Sequence, residues 1–476
     1  MHPLIRPICP ICPFRRLLLA GLLLSLTAQA QAQTQAQAQT QTQTQAQGQT
    51  QTRTQTQTQT QAQIHSQART QALAFLNADE LAANRQRLAQ HRAPELTVTA
   101  WQQLQREADK ALRQPLLSVT DKRLTPPSGS KHDYLSLSAY WWPDPAKADG
   151  LPWQQRDGQV NPASKNDDSD GVRLATFTSR VQVLTLAWYF SGDTRYATRA
   201  IELIRHWFID PASRMNPNLS FAQGVPGIAA GRHTGVLDGR YFATRLVDAL
   251  VMLRQAPGWR AEDERQMQQW MADYLHWLLT SKLAQAEAAA QNNHGSWYST
   301  QVAGIAWYLQ RPEIVREMVS QARQRLNGQL AADGRQPLEL ARTRSFHYSF
   351  FNLQALTALA GLAARSGNGD LWQSSAAGQP GLLSALDFIA PWSDPARPWP
   401  YKNRDRIAVR LIPLLAQAAD ATGDDRYRRY IERADWTLPP AGAARGATQA
   451  ALRETWLLAV PHVAAAPVRP NDDKTP

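Results

Sequence analysis

Beyond residue 70 or so, apolar residues recur with the period of an α-helix over most of the chain. At 173–190 they fall three and four residues apart, and 196–208 repeats the pattern. The same period predicts further helices at 241–255, 264–284, 301–310, 312–330, 350–366 and 407–422. Alternating runs of Val, Ile and Thr are scarce, so no large sheet is expected. The pattern therefore predicts an all-α fold.

A short internal echo marks the ends of these helices. Ser-Gly-Asp-Thr-Arg-Tyr at 191–196 recurs as Thr-Gly-Asp-Asp-Arg-Tyr at 422–427. Gly commonly ends a helix and Asp commonly begins one. The echo predicts stacked helical hairpins, as in an α/α toroid, although Gly-Asp also occurs in ordinary helix-helix turns. Loop-rich stretches at 125–170, 216–239 and 391–405 interrupt the helices, and we expect them to build a binding cleft.

The composition divides the chain into five segments. A basic start and a ten-residue apolar run predict an export signal over 1–30, which contains both cysteines. The Gln/Thr/Ala repeat of 31–70 predicts a disordered linker. We expect an N-terminal helical extension at 71–124, the toroid at 125–465 and a disordered tail at 466–476. Export without a disulfide or membrane span favours a periplasmic protein, or a secreted one.

The charge points to an acidic partner. The formal net charge is +12, or about +9 without the three arginines of the signal. An excess of this size favours a polyanion. The basic residues are dispersed rather than gathered in a nucleic-acid-binding arm, and sixteen tryptophans suit stacking on sugars. We expect an acidic polysaccharide as the partner, no nucleic acid, and a monomer.

Two motifs about fifty residues apart carry the candidate chemistry. Residues 291–298 read Gln-Asn-Asn-His-Gly-Ser-Trp-Tyr, and 339–348 read Glu-Leu-Ala-Arg-Thr-Arg-Ser-Phe-His-Tyr. They supply an amide, an imidazole, a guanidinium and a phenol. Elimination in a uronic-acid polymer needs groups that neutralise the carboxylate, remove the neighbouring proton and protonate the leaving oxygen. Asn and Arg suit the first task, and His and Tyr suit the proton transfers.

These motifs, together with Tyr-Trp-Trp-Pro-Asp-Pro at 140–145, resemble the alginate lyase superfamily over roughly 125–430, and most resemble its poly-mannuronate or poly-glucuronate branch. The resemblance implies an incomplete α/α toroid that cleaves a 1,4-linked uronan by β-elimination. By the same resemblance, Asn293 neutralises the carboxylate, and His294 shares that task or acts as base for one epimer. Arg342 holds the carboxylate or orients the phenol. Tyr348 is the general acid, and also the base when proton and leaving group share a face.

Each of these residues also has a structural interpretation. Asn-Asn-His can cap a helix around a buried histidine, and the chain has Gly295-Ser296 where better-known alginate lyases carry Ser-Tyr. Arg342 can pair with Glu339, and Tyr348 can be a core residue. Arg344 is a rival for the role of Arg342.

We expect further residues to bind substrate. The glycine-rich 224–239 loop lets backbone approach a ligand. The candidates, in chain order, are Lys131, His132, Tyr134, Tyr140, Trp141, Arg232, His233, Asp238, Arg240, Trp297, Arg344, His347 and Lys402. No cofactor or metal site is predicted, because the acids at 166–170 lack the pattern of a calcium loop and directly precede a helix.

Two other classes stay open. A toroidal glycoside hydrolase needs two carboxylates, which Asp133, Asp144 and Asp238 can supply. A non-catalytic glycan-binding protein needs only the basic and aromatic residues. Elimination products absorb in the near ultraviolet, so product chemistry separates the three classes.

Overall fold

The computed structural model describes residues 71–373 and 380–461. The predicted export signal, the linker and the whole predicted C-terminal tail therefore lie outside the described residues. Helices predominate, and the order of the α-helices is α1 (Ala78–Ala89), α2 (Glu95–Leu112), α3 (Gly171–Ser191), α4 (Thr194–Ile204), α5 (Asp248–Leu253), α6 (Ala261–Thr280), α7 (Lys282–Ala288), α8 (Asn293–Tyr308), α9 (Pro312–Gln329), α10 (Pro337–Leu340), α11 (Ser345–Arg365), α12 (Leu382–Ile389), α13 (Ile412–Thr422), α14 (Asp425–Glu432) and α15 (Gly442–Leu452).

Short segments of other structure connect them. The 3-10 turns are Val119–Asp121, Pro162–Lys165, His233–Gly239, Ala390–Ser393 and Ala408–Leu411, and the π-helical turns are Arg205–Ile209, Phe242–Val247 and Arg453–Leu457. The strands are β1 (Leu135–Leu137), β2 (Trp141–Trp142), β3 (Gln154–Gln155) and β4 (Phe221–Gly224). β1 pairs in parallel with β4, and β2 pairs antiparallel with β3, so the strands brace the loops rather than form a layer.

Consecutive helices pack as hairpins. α3 packs on α4, α8 on α9, and α13 on α14, while α11 packs on α8. This confirms an all-α, incomplete α/α toroid of helical hairpins, with long loops that form the cleft. Residues of α1 and α2 belong to the same apolar core as the hairpins, so 71–124 is continuous with that core.

The internal echo does mark the turns of two helical hairpins, as the sequence predicted. Gly192 and Gly423 follow α3 and α13 with φ of 76° and 69°, the left-handed region that favours glycine. Asp193 and Asp424 then cap the next helices, each accepting a hydrogen bond from a backbone N–H two residues on. The same local chemistry therefore turns the chain at two distant points of the toroid.

The acids before α3 are part of the scaffold. Asp170 is buried, and its carboxylate lies 3.0 Å from the Lys122 ammonium and 3.1 Å from the Arg173 guanidinium. These contacts tie the start of α3 to the segment before the first strand. Within the part of the chain that the structure describes, no helix is long and apolar enough to cross a bilayer.

Candidate active site

A cavity of about 450 Å³ brings the two sequence motifs together with the loop-rich stretches. His294 comes from the start of α8, Arg342 and Arg344 come from the turn between α10 and α11, and His347 and Tyr348 come from the first turn of α11. The loops add a second set of predicted residues: Tyr140, Trp141, Arg232, Asp238 and Arg240. Residues more than 200 positions apart in sequence thus line one space.

The first motif begins a helix. The Asn292 side chain caps α8 by accepting a hydrogen bond from the His294 backbone N–H at 3.1 Å. A Cβ on Gly295 would lie 2.0 Å from the Ala290 carbonyl oxygen, so only glycine fits here. The close approach of these two backbone segments therefore requires glycine at position 295.

Asn293 is fully buried behind the cavity. Its backbone N–H and its side-chain Nδ2 donate to the two carboxylate oxygens of Glu339, at 2.7 and 2.8 Å. Glu339 is therefore a partner of Asn293 rather than of Arg342, as one sequence interpretation had it. The contact ties α8 to α10 and so sets the two motifs against each other. Asn293 is not among the residues that line the cavity, so its expected role in neutralising the substrate carboxylate stays a prediction.

A buried carboxylate holds two histidines. Glu287 accepts from Nδ1 of His294 at 2.6 Å and from Nδ1 of His233 at 2.9 Å. Burial acts to raise the pKa of Glu287, but these two hydrogen bonds outweigh it and the pKa is lowered. An ionised carboxylate can only accept, so each Nδ1 carries the proton and each Nε2 of a neutral ring keeps a lone pair. His294 is thus oriented as an acceptor in the cavity wall.

Arg342 lies against the phenol of Tyr348. Its guanidinium carbon is 4.0 Å from the Tyr348 ring centre, and its Nη2 donates to Asp157 at 2.7 Å. Asp157 also accepts from the Thr343 hydroxyl at 2.8 Å. Burial would raise the pKa of Asp157, yet the bonds from Arg342 and Thr343 lower it. The loop before α3 therefore fixes the arginine beside the tyrosine.

Two phenols meet in the cavity. The Tyr348 and Tyr140 hydroxyls lie 3.0 Å apart, and Arg344 donates to Tyr140 at 3.1 Å. Arg344 is held by two hydrogen bonds to Asp405, at 2.7 and 2.6 Å. Burial and the neighbouring Tyr140 raise the pKa of Tyr348, which Arg342 opposes only in part. Tyr348 is therefore a neutral phenol at any ordinary working pH and can donate a proton.

The other predicted loop residues have defined partners. Asp238 accepts from Tyr134, Ser136 and Gln223, at 3.0, 2.6 and 3.0 Å, so this carboxylate braces the loops. Arg232 donates to the Ser138 hydroxyl at 3.1 Å and lies over the Trp141 ring.

The glycine-rich loop serves the fold rather than the ligand. A Cβ on Gly231 or Gly235 would lie 2.0 or 2.4 Å from a backbone oxygen of the segment around β4. The prediction that these glycines let the backbone approach a ligand is therefore corrected, because they let two backbone segments approach each other.

Several predicted binding residues lie outside this cavity. The Lys131 ammonium donates to three backbone carbonyls, and the His132 ring bonds to the Arg214 carbonyl. Trp297 is buried against Phe351, and Tyr134 is buried beneath Asp238. Lys402 is exposed and contributes only its carbonyl, to Ser345. These five residues support the walls, because their polar groups are already engaged, buried or turned to solvent.

His347 links the cavity wall to a prediction about stability. Burial, with Arg344 and Arg410 nearby, lowers the pKa of His347 to about 3. The unfolded chain binds a proton at this position below about pH 6.5, while the folded protein does not. Stability therefore falls with decreasing pH from about 6.5 towards 3, by at most about 1.4 kcal/mol per pH unit for this residue.

We expect His347→Gln to remove that contribution. Urea unfolding at pH 7.5 and at pH 5 should show a smaller loss of stability in the variant than in the unchanged protein. Equal losses in the two proteins would contradict a neutral, buried His347.

An all-α toroid with a cation-rich cleft, a phenol and an oriented imidazole defines the class of carbohydrate-active toroidal enzymes. The profile of the family described as Alginate lyase matches residues 118–399. The crystal structure of an alginate lyase from Bacteroides ovatus is 30% identical, with a TM-score of 0.73, over 81% of this chain and 99% of that one. The chain belongs to the alginate lyase family and is a polysaccharide lyase.

A second solved structure is more distant. An alginate lyase from Sphingomonas species A1 is 16% identical, with a TM-score of 0.47, over 74% of this chain and 88% of that one. A comparison with curated proteins gives no match.

Proposed function

We propose that this protein cleaves a 1,4-linked uronic-acid polymer, alginate or glucuronan, by β-elimination and leaves an unsaturated uronate at the new end. The observation that carries the proposal is the pairing, in one cavity, of a neutral phenol on Tyr348 with an imidazole on His294 that Glu287 holds as an acceptor. The solved relative from Bacteroides ovatus is named as an alginate lyase, which supports alginate as a substrate.

The charges of the cavity favour an acidic sugar. Its lining carries five cations (Lys165, Arg232, Arg240, Arg342 and Arg344) against two carboxylates (Asp157 and Asp238). Among the described residues, Lys165, Arg232 and Arg240 have no carboxylate within 4.0 Å. A uronate carboxylate would compensate this excess and, once hydrogen-bonded, would have its neighbouring C–H proton acidified.

The two proton transfers divide between the two side chains. Nε2 of His294 removes the proton beside the carboxylate, because its Nδ1 proton is held by Glu287. The charge that develops on the substrate carboxylate is stabilised by the cationic wall. The Tyr348 hydroxyl then protonates the leaving glycosidic oxygen, and Arg342 and Tyr140 hold the phenol in place.

The geometry gives less support to hydrolysis. A hydrolase needs one carboxyl group as acid and a second as base or nucleophile. In this cavity Asp157 is bound to Arg342 and Thr343, and Asp238 accepts three hydrogen bonds. Neither carboxylate is therefore free to act as the general acid of a hydrolase. Asp133 is bound to Ser128 and Asn216, and Asp144 accepts from the Ala146 backbone N–H at the start of an exposed turn.

Glu287 provides a test of the oriented imidazole. We expect Glu287→Gln to lower kcat by about 10- to 100-fold, because an amide holds Nδ1 less firmly and does not fix which nitrogen carries the proton. KM should change little. Asp157→Asn is the comparison variant. It removes a different carboxylate of the same site and releases Arg342 rather than His294. An unchanged kcat in Glu287→Gln would remove Glu287 from the mechanism.

The proposed function is tested by near-ultraviolet absorbance. Purified protein is mixed separately with poly-mannuronate, poly-guluronate and poly-glucuronate. A rise in absorbance with one polymer supports elimination and identifies the substrate. If all three stay flat while reducing ends accumulate, the protein is a hydrolase. If nothing is cut and a polymer binds, it is a glycan-binding protein.

We also propose that the protein is exported to the periplasm. The support is the sequence of residues 1–30, which lie outside the described residues. Fractionation of cells that express the full chain, with detection of the shortened protein in the periplasmic fraction, tests this proposal. Full-length protein in the cytoplasm alone would contradict it.

A further inference from the structure

Two further cavities adjoin the candidate active site. Their volumes are about 460 and 400 Å³, and Arg240 lines both of them as well as the active-site cavity. Tyr241 and Arg245 line both of the additional cavities. We call the space that these three residues share the inner chamber. It lies where the turn His233–Gly239 passes into the turn Phe242–Val247, and residues of α3, α11 and α13 line the two cavities.

Two guanidinium groups stack on one phenol in the inner chamber. Their central carbons lie 4.0 Å (Arg240) and 4.1 Å (Arg245) from the ring centre of Tyr241. Arg240 donates to the Leu237 carbonyl and to the Tyr241 hydroxyl, and Arg245 donates to the Ala175 carbonyl. Within 71–373 and 380–461, no carboxylate lies within 4.0 Å of either guanidinium, so neither forms an ion pair.

A third cation, Arg410, lies on one side of the inner chamber. Arg410 lines the 400 Å³ cavity, lies over the Phe350 ring and contacts His347 Nδ1 at 3.4 Å. Burial lowers the pKa of both Arg245 and Arg410, and the nearest carboxylates, Glu454 and Asp405, oppose this only in part. Burial acts to raise the pKa of Tyr241, yet Arg240 and Arg245 lower it. The local field is therefore positive.

The acidic groups nearby do not cancel this field. Asp238 faces the chamber from the 460 Å³ side, where three hydrogen bonds hold it in the loop scaffold. Glu454 faces it from the 400 Å³ side, and burial raises its pKa although Arg453 and Arg245 oppose the shift. Lys165 and Arg180 add further positive charge on the Asp238 side.

We propose that the inner chamber is a carboxylate-binding subsite, which receives a uronosyl residue of the substrate beyond the bond that is cut. This proposal rests on the proposed function. A guanidinium presents paired N–H donors that match a carboxylate, and Arg240 and Arg245 are half-buried cations without a carboxylate partner. Arg240 lies in both spaces and so connects the subsite to the cleavage point.

Binding of oligosaccharides to catalytically disabled protein tests the subsite. The full chain carrying Tyr348→Phe is titrated by calorimetry with trimannuronate, with hexamannuronate, and with hexamannuronate whose carboxylates have been reduced to alcohols. We expect a further Arg245→Gln change to weaken hexamannuronate binding about tenfold or more, because one charge-assisted contact is lost. Trimannuronate should lose less, and the reduced hexamer should not respond to the change.

Two further variants serve as controls for Arg245→Gln. Arg245→Lys keeps the charge without the planar fork and should retain part of the affinity. Arg365→Gln removes an arginine that donates to the Ala74 carbonyl and lines none of the three cavities, so it should have no effect. If Arg245→Gln does not fold, Arg410→Gln tests the opposite wall.

Equal hexamannuronate affinity in folded Arg245→Gln and Arg365→Gln would overturn the subsite, and so would no binding of the hexamer of any of the three uronic acids. Failure of the proposed function is recognised separately, as a lack of absorbance change with every polymer in the unchanged protein. Binding that depends on Arg245 in a protein that cuts nothing would keep the subsite and reject the lyase.

Discussion

Replacement of Tyr348 by Phe is expected to lower kcat on the uronan substrate by about 10³- to 10⁴-fold, with the fold intact. General acid catalysis by a positioned side chain contributes about 10²- to 10⁴-fold, and the leaving glycosidic oxygen departs poorly without a proton. The Tyr348 ring is almost fully buried and lies under Arg342, contacts that phenylalanine preserves. Only the hydroxyl that meets Tyr140 is removed.

The measurement is initial rate by near-ultraviolet absorbance, with oligosaccharide affinity measured alongside. Tyr140→Phe is the matched control, because it removes the other hydroxyl of the same pair. It should reduce kcat less, since in our account Tyr140 positions Tyr348 and is not the acid itself. Near-normal turnover in Tyr348→Phe would show that Tyr348 is a core residue with no part in catalysis.

Replacement of His294 by Gln is the second large effect, with an expected loss of about 10²- to 10⁴-fold in kcat. Glutamine keeps hydrogen-bonding capacity and comparable size but has no basic nitrogen. The backbone N–H that Asn292 caps is unchanged, so α8 should still begin at the same residue. The rate is measured on each polymer that the unchanged protein cuts.

His233→Gln is the control for His294. His233 binds the same Glu287 carboxylate, but its side chain is 43% exposed, against 15% for His294, and it is not among the residues that line the active-site cavity. We expect its effect on kcat to be about tenfold or less. If His294→Gln kept its rate while Tyr348→Phe lost it, Tyr348 alone would serve as base and acid.

The helical period predicted most of the toroid because its helices bury a continuous apolar stripe. It failed at the starts of α8 and α11, predicted at 301 and 350 but found at Asn293 and Ser345. These first turns are buried on nearly every side and mix small or polar residues with aromatic ones, so no one-sided apolar stripe marks them. The cap by Asn292 and the close approach at Gly295 decide where α8 begins.

The residues that orient the side chains of the site were harder to predict from the sequence. Glu287, Asp157 and Asp405 orient His294, Arg342 and Arg344, yet sequence reasoning missed all three. Asp157 and Asp405 lie in loops up to 185 positions from their partners, and no local pattern encodes such a distance. Glu287 did leave a signal: it is a single acidic residue among alanines, seven positions before His294, where a buried partner is the simplest reason for a charge.

Digestion in water enriched with oxygen-18 tests elimination most directly. The polymer that raises the absorbance is cut in that water, and the new chain ends are examined by mass spectrometry. Elimination should give unsaturated products with no incorporated label, because the glycosidic oxygen leaves with the proton from Tyr348 and no water is added. Saturated products that carry one labelled oxygen for each bond cut would show hydrolysis and contradict the account.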